Sequence, residues 1–297
     1  MNTSDGAEQE NPAPLVRELE KNISRLYEAY LYLLKFLEEL SDFANQYDDE
    51  QRSRYIPIER DLKANLRFFH NPILQKLVQN KHFHTACEKY KVVWNSEGEN
   101  SMLRKIYFDF KNQEVYKEYA QFADENSLLN QDILVFALKH YSTNMALFSQ
   151  HLEEEYTNWP DDKKIVLQMA IKTVQSIGSD LENEDILQPL SNDDDEILDF
   201  AKNLLKKTLS NQVALDLLIH PKTQKWEDNH IAKIDKIILR MAICEFLHFP
   251  SIPAKVSINE YIELSKNYST PQSKKFINGV LDSILKDLKA NGTIVKN

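Results

Sequence analysis

The sequence predicts an all-α protein with one large or two modest domains, and three observations carry that reading. Apolar residues recur at alternating steps of three and four over long stretches, the spacing that lines one face of a helix. Only five glycines occur in 297 residues, and hairpin dipeptides are few. Hydrophobic residues make up 42% of the chain, enough for real cores at this length. The same scarcity of glycine leaves no pair close enough for a phosphate-cradling loop or a dinucleotide fingerprint, which argues against nucleotide-binding enzyme folds.

Taken in order, residues Met1 to Pro14 carry Asp5, Glu8 and Glu10 with no basic residue, and read as a disordered acidic tail. Leu15, Leu19, Ile23, Leu26, Tyr30, Leu33, Leu37, Leu40 and Ala44 make the stripe of one long amphipathic helix, which we read as packed inside its own domain and not as a coiled coil. A polar stretch from Tyr47 to Arg54, with Asn71 and Pro72, separates it from a helix whose packed face holds Ile73, Leu74, Leu77 and Val78. Ser101 is the expected N-cap of Met102 to Phe110, Glu114 to Phe122 forms an aromatic-rich helix, and Leu128 to Leu152 reads as one long helix. Asn158, Trp159, Pro160 and two aspartates announce Ile165 to Ile177, with Gly178 as C-cap.

Ser191 followed by Asp193, Asp194, Asp195 and Glu196 places a cap and acids at a helix start, where the macrodipole favours negative charge. Carboxylates adjacent in a first turn diverge, so capping outweighs metal binding there. His82, His84 and Cys87 lack a fourth ligand, and His82 points away from the other two on a helix, so no metal and no cofactor is expected.

From Ile231 the chain is apolar on nearly every side through Ile234, Ile237, Ile238, Leu239, Met241, Ala242, Ile243, Cys244, Phe246 and Leu247, the pattern of a buried helix. Arg240 within it needs an acceptor, with Glu245, Glu260 and Glu263 as candidates, and its structural role as a paired arginine outweighs direct contact with a ligand. Pro250 and Pro253 end that helix. Ser257 and Glu260 have capping-box spacing, with Val256 and Tyr261 at the staple positions, and Thr270 with Pro271 reads as N-cap and first residue of the last helix.

That last start breaks a local rule. Lys274 and Lys275 fall near the first turn, where the positive end of the dipole disfavours cations by a few tenths of a kcal/mol, roughly. An anion would reverse the preference: free N–H groups, two ammonium groups and the ring of Phe276 suit a phosphate and a stacked base. The plain alternative is that both lysines are merely solvated while Phe276 packs. Asn278 and Gly279 lie beside the stripe Ile277, Leu281, Ile284 and Leu288, and a helical glycine costs about 1 kcal/mol against alanine, so another backbone or a ligand should approach closely, most simply a packed helix.

Net charge is −10, contrary to what phosphate contacts require, but the charge is uneven. Trp226 to Asn297 holds ten basic against eight acidic residues, leaving 26 and 38 for the preceding 225. Two cysteines far apart, and no charged, apolar, small-residue leader pattern, make a reducing cytoplasm the default compartment. No stretch of about 18 uncharged apolar residues exists, so no membrane span is expected.

The run Asp235, Ile238, Leu239, Arg240, Glu245, then Ile252, Pro253, Lys255, Val256, Asn259, Glu260, Glu263, Leu264, Lys266, then Ser273, Lys275, Phe276, Asn278, Gly279, Val280, Leu281 and Asp282 resembles the C-terminal half of the NusB transcription antitermination family. Glu196 to Leu218 with Trp226 resembles the preceding family helix, so the likeness covers about 190 to 286. It implies an all-α, NusB-like helical bundle at 186–297, preceded by the tail at 1–14 and an acidic helical insertion at 15–185. It further implies binding of boxA-like nascent RNA with the ribosomal protein NusE in a transcription elongation complex that supports ribosomal RNA synthesis. Carried onto these positions, Lys255, Lys274, Lys275 and Phe276 would face RNA and the surface around Asp235 would face the partner. Arg240, Glu260, Asn278 and Gly279 would be structural.

The family's opening arginine-rich helix has no counterpart here, which suggests a natural start upstream of Met1. The competing reading is a helical protein-interaction adaptor that keeps the scaffold without RNA contacts. Similar domains also head certain RNA methyltransferases, but no glycine-rich cofactor loop follows in this chain, so an enzyme is not expected.

Overall fold

The computed structural model describes residues 12–54, 67–121, 127–180, 182, 184–189, 194–223 and 231–294. Thirteen helices and no strand are found among them: α1 (Ala13–Arg54), α2 (Pro72–Val78), α3 (Lys81–Tyr90), α4 (Glu97–Asn112), α5 (Glu114–Gln121), α6 (Ser127–Asn144), α7 (Ala146–Glu155), α8 (Trp159–Ser179), α9 (Asp194–Ser210), α10 (Gln212–Thr223), α11 (Lys233–His248), α12 (Ala254–Tyr268) and α13 (Ser273–Ala290). The chain divides into two compact units, one of Lys21–Asn192 and one of Met1–Glu20 with Asp193–Asn297. The first turns of α1 therefore cluster with the C-terminal residues. The acidic tail expected at the start, except its last residues, and the cap expected at Ser191 lie outside the described residues.

In the unit of Lys21–Asn192, α1 runs through the core. Tyr30, Leu31, Leu33, Leu34, Phe36 and Leu37 are all fully buried, so this part of α1 is covered on most of its sides. Around it α6 packs on α5, α7 and α8, and α2 packs on α6 and α8. Several helix limits differ from the sequence expectation. The polar stretch from Tyr47 does not stop α1, because Tyr47 packs against Phe43, Tyr107 and Phe108. α4 starts five residues earlier than expected: Ser96 caps it and Glu99 completes a capping box, so Ser101 is an interior residue. Leu128 to Leu152 is two helices, broken at Met145, whose backbone is extended. Gly178 is not a C-cap but lies inside α8, where an added Cβ would meet Gln131 Oε1 at 2.9 Å and Ile73 Cδ1 at 3.1 Å. It is a close-packing glycine.

In the other unit α11 is the hub, touching α9, α10, α12 and α13, with α12 also packed on α13. Ile238, Leu239, Ala242, Ile243, Cys244 and Phe246 on α11 are buried. They meet Tyr261 of α12 and the stripe Ile277, Val280, Leu281, Ile284 and Leu288 of α13. No described helix is long and apolar enough to cross a membrane.

Candidate nucleic-acid interface

Three polar ties fix the helices that carry the predicted site. Tyr261 on α12 donates its hydroxyl to the buried Glu245 carboxylate of α11 at 2.9 Å, and burial together with that charge pushes the phenol upward. Arg240 on α11 grips Asp216 of α10 with two parallel bonds, Nε to Oδ1 and Nη2 to Oδ2, both 2.7 Å. Lys236 joins the same carboxylate at 2.9 Å. The Arg240 hydrogen bonds hold the Asp216 carboxyl below its ordinary range. The paired-arginine expectation therefore stands, but its partner is Asp216 and not Glu245, Glu260 or Glu263.

The third tie sets the start of α13. Asp235 is only 5% exposed, and its two oxygens accept the hydroxyl protons of Ser269 and Ser273, the latter at 2.8 Å. Thr270 lies 2.9 Å from the Ser273 hydroxyl and completes the cluster. Asp235 thus braces the turn between α12 and α13 from inside. Its carboxylate is turned inward and both oxygens are occupied by those hydroxyls.

Two expected caps are absent. α12 begins at Ala254 after Pro253, whose ring presets φ at −61°, so Ser257 already lies within the helix and bonds Pro253 O through its own N–H. The Ser257 hydroxyl is buried without a partner, Glu260 is exposed and Val256 is 47% exposed, so neither the capping box nor the staple forms. Thr270 and Pro271 belong to the turn, and α13 starts at Ser273 with Gln272 at the cap position making no side-chain bond.

The α13 start presents its donors in an instructive way. Ser273 N–H bonds Thr270 O, and the N–H groups of Lys275 and Phe276 both bond Gln272 O, whereas the Lys274 N–H has no acceptor among the described residues. Lys274 and Lys275 are exposed and take part in none of the ion pairs found among the described residues. Phe276 is half-buried against the core. A helix start with an uncapped N–H, two unpaired cations and a partly exposed ring can receive an anionic group.

Lys255 is exposed but is not brought to that cluster: it stands at the far end of α12, about 20 Å along the axis at 1.5 Å per residue. Asn278 and Gly279, expected to serve close packing, are both exposed, and a Cβ on Gly279 would meet nothing within 4 Å. Sequence reasoning missed Asp216, which lies 24 residues from Arg240 with no local signal. It also missed Tyr268, which continues the buried stripe of Ser257, Tyr261 and Ser265 but is 50% exposed because α12 ends there. No group of His, Cys, Asp and Glu able to hold a metal occurs among the described residues; His84 instead bonds the Val78 carbonyl at 2.6 Å.

Fold and ties together define an all-α bundle built round a buried arginine-bearing helix, with a cationic, uncapped start on its last helix. Residues 160–286 match the model of the NusB family. The match begins in α8, well before residue 190. The transcription antitermination protein NusB of Salinibacter ruber is 46% identical over 98 residues, 33% of this chain and 61% of that protein. That of Chloroherpeton thalassium is 40% identical over 99 residues, 33% and 47% of the two. That of Clostridium perfringens is 40% identical over 129 residues, 42% of this chain and 92% of the relative. The chain thus spans 61% and 47% of the length of the first two relatives. No solved structure matches it significantly. The chain belongs to the NusB family.

Proposed function

We propose that this chain is an RNA-binding transcription antitermination factor of the cytoplasm, not an enzyme. It acts on boxA-like nascent RNA with the ribosomal protein NusE in the elongation complex that transcribes ribosomal RNA. Lys274, Lys275 and Phe276 receive a phosphate and a base, Lys255 meets the strand further along, and exposed residues around Asp235 face the ribosomal partner. The observation that carries the reading is the pair of exposed, unpaired ammonium groups on an uncapped helix start, placed there against the local backbone field. The family supports it, since the relatives named above are antitermination proteins.

The test is the salt dependence of binding to a single-stranded RNA that carries a boxA element. Removing two phosphate contacts should lower the log–log salt slope by about 1.4, at roughly 0.7 per contact on a single strand. Lys274→Glu with Lys275→Glu should therefore weaken binding and flatten that slope. Unchanged affinity and slope in this double variant would refute the reading and favour the adaptor without RNA contacts.

A further inference from the structure

Gly279 has no intramolecular reason to be glycine. It is the seventh residue of the 18-residue α13, and Gly292, not Gly279, is the positive-φ glycine of the described residues. The position is exposed and open, in contrast to Gly178, where neighbouring side chains leave no room for a Cβ. Neither turn geometry nor packing asks for glycine at 279, although it weakens an exposed helix.

Its surroundings supply the reason. Gly279 lies four residues after Lys275, and Asn278 lies four after Lys274, so these side chains share the exposed side of α13. The strip begins with two unpaired cations and continues as an amide beside bare main chain. One turn on, Asp282 is held by Lys286 at 2.7 Å, so that end is locally neutral and does not compete for the lysines.

We infer that Gly279 is the floor on which one nucleotide of a single-stranded RNA lies, a deeper assignment that rests on the function proposed above. The lysines hold the phosphates, and over Gly279 the missing Cβ lets a sugar or base approach the helix main chain. Asn278, with two donors and one acceptor group, contacts that nucleotide's polar edge. A single strand fits this better than a duplex, because its bases and sugars are free to lie flat against a helix. A docked protein would also approach a bare helix, but the adjoining unpaired cations favour the polyanion.

The experiment uses the full chain with Gly279→Ala, Gly279→Leu and the Lys274→Glu, Lys275→Glu pair. Each is measured for melting temperature and for affinity to a fluorescein-labelled single-stranded RNA carrying a boxA element. Gly279→Ala should raise the melting temperature by a few degrees, as an exposed helical alanine does. The same variant should weaken RNA binding by about tenfold, the scale on which one added carbon is rejected by a close-fitting surface, and Gly279→Leu should weaken it further. A purely structural role gives no such opposition of sign. If both Gly279 variants bind as tightly as the parent while the lysine pair weakens binding, the inference is overturned and the function stands. If the lysine pair has no effect, the function itself falls and the inference with it.

Discussion

In the unit of Lys21–Asn192 the core is dominated by interlocking rings, whereas the core of the unit containing α9 to α13 is mainly aliphatic, and buried polar ties occur in both, such as Tyr30 with Thr173 at 2.7 Å in the first and Tyr261 with Glu245 at 2.9 Å in the second. In the first, Tyr32 stacks on Trp94 at 4.9 Å, Phe36 meets Phe148 at 4.7 Å and Phe110 meets Tyr116 at 4.8 Å. The second has one ring pair among its described residues, Phe200 with Phe249. Rings bury much area, and their pairs prefer offset-stacked or edge-to-face arrangements. In the aliphatic unit Asp235, Arg240 and Glu245 add bonds of narrow geometry that fix which helices are neighbours. The family match runs over the aliphatic unit, together with α8, and does not extend to α1–α7.

The largest effect that can break this comparison is Phe110→Ala. It should cost about 3–5 kcal/mol, read by denaturant unfolding through the buried Trp94 and Trp159. A loss below about 1 kcal/mol would mean that the ring cluster is not what holds that unit. Next is Asp235→Ala, which leaves the hydroxyls of Ser269 and Ser273 without their acceptor. A loss of about 1–3 kcal/mol is expected, with Asp235→Asn milder because one oxygen still accepts.

Smallest is the Asp216 pair, whose carboxylate is one-third exposed and whose worth is about 1 kcal/mol or less. Its folded-state carboxyl is lowered chiefly by Arg240, so the stabilisation is complete above the ordinary carboxylate value near about 4. It fades as pH falls through the lowered value. Arg240→Met should shrink that acid-side component, part of which Lys236 maintains, and lower neutral stability by the same amount, about 1 kcal/mol or less. An acid limb identical in variant and parent would show that the pair is decorative.

Much of this architecture was legible in the chain. α11 announced itself by being apolar on nearly every side, and the long stripe from Leu15 marked α1. The end of α1 was not legible, since the polarity of Tyr47 to Arg54 says nothing of the rings that meet Tyr47 in space. Nor was the break at Met145, which has no glycine or proline to mark it. Ser96 and Glu99 did carry a capping-box spacing, but Gly98 between them masks the helix start. At the candidate site, Lys274 and Lys275 stood out because they oppose the backbone field, a one-dimensional signal. The exposure of Gly279 and the choice of Asp216 as the arginine's partner depend on which helix faces which, and no local rule encodes that.

The burial of Asp235 beneath two serine hydroxyls has a consequence for genetics. A substitution there loosens the seat of α13 and shifts Lys274 and Lys275 along with it, so phenotypes at 235 and at 274 or 275 should be epistatic instead of additive. A defect caused by changing Asp235 would then trace to a misplaced neighbour. Lys233 and Ile237 nearby are exposed and take no part in that seat, so substitutions there should leave it intact.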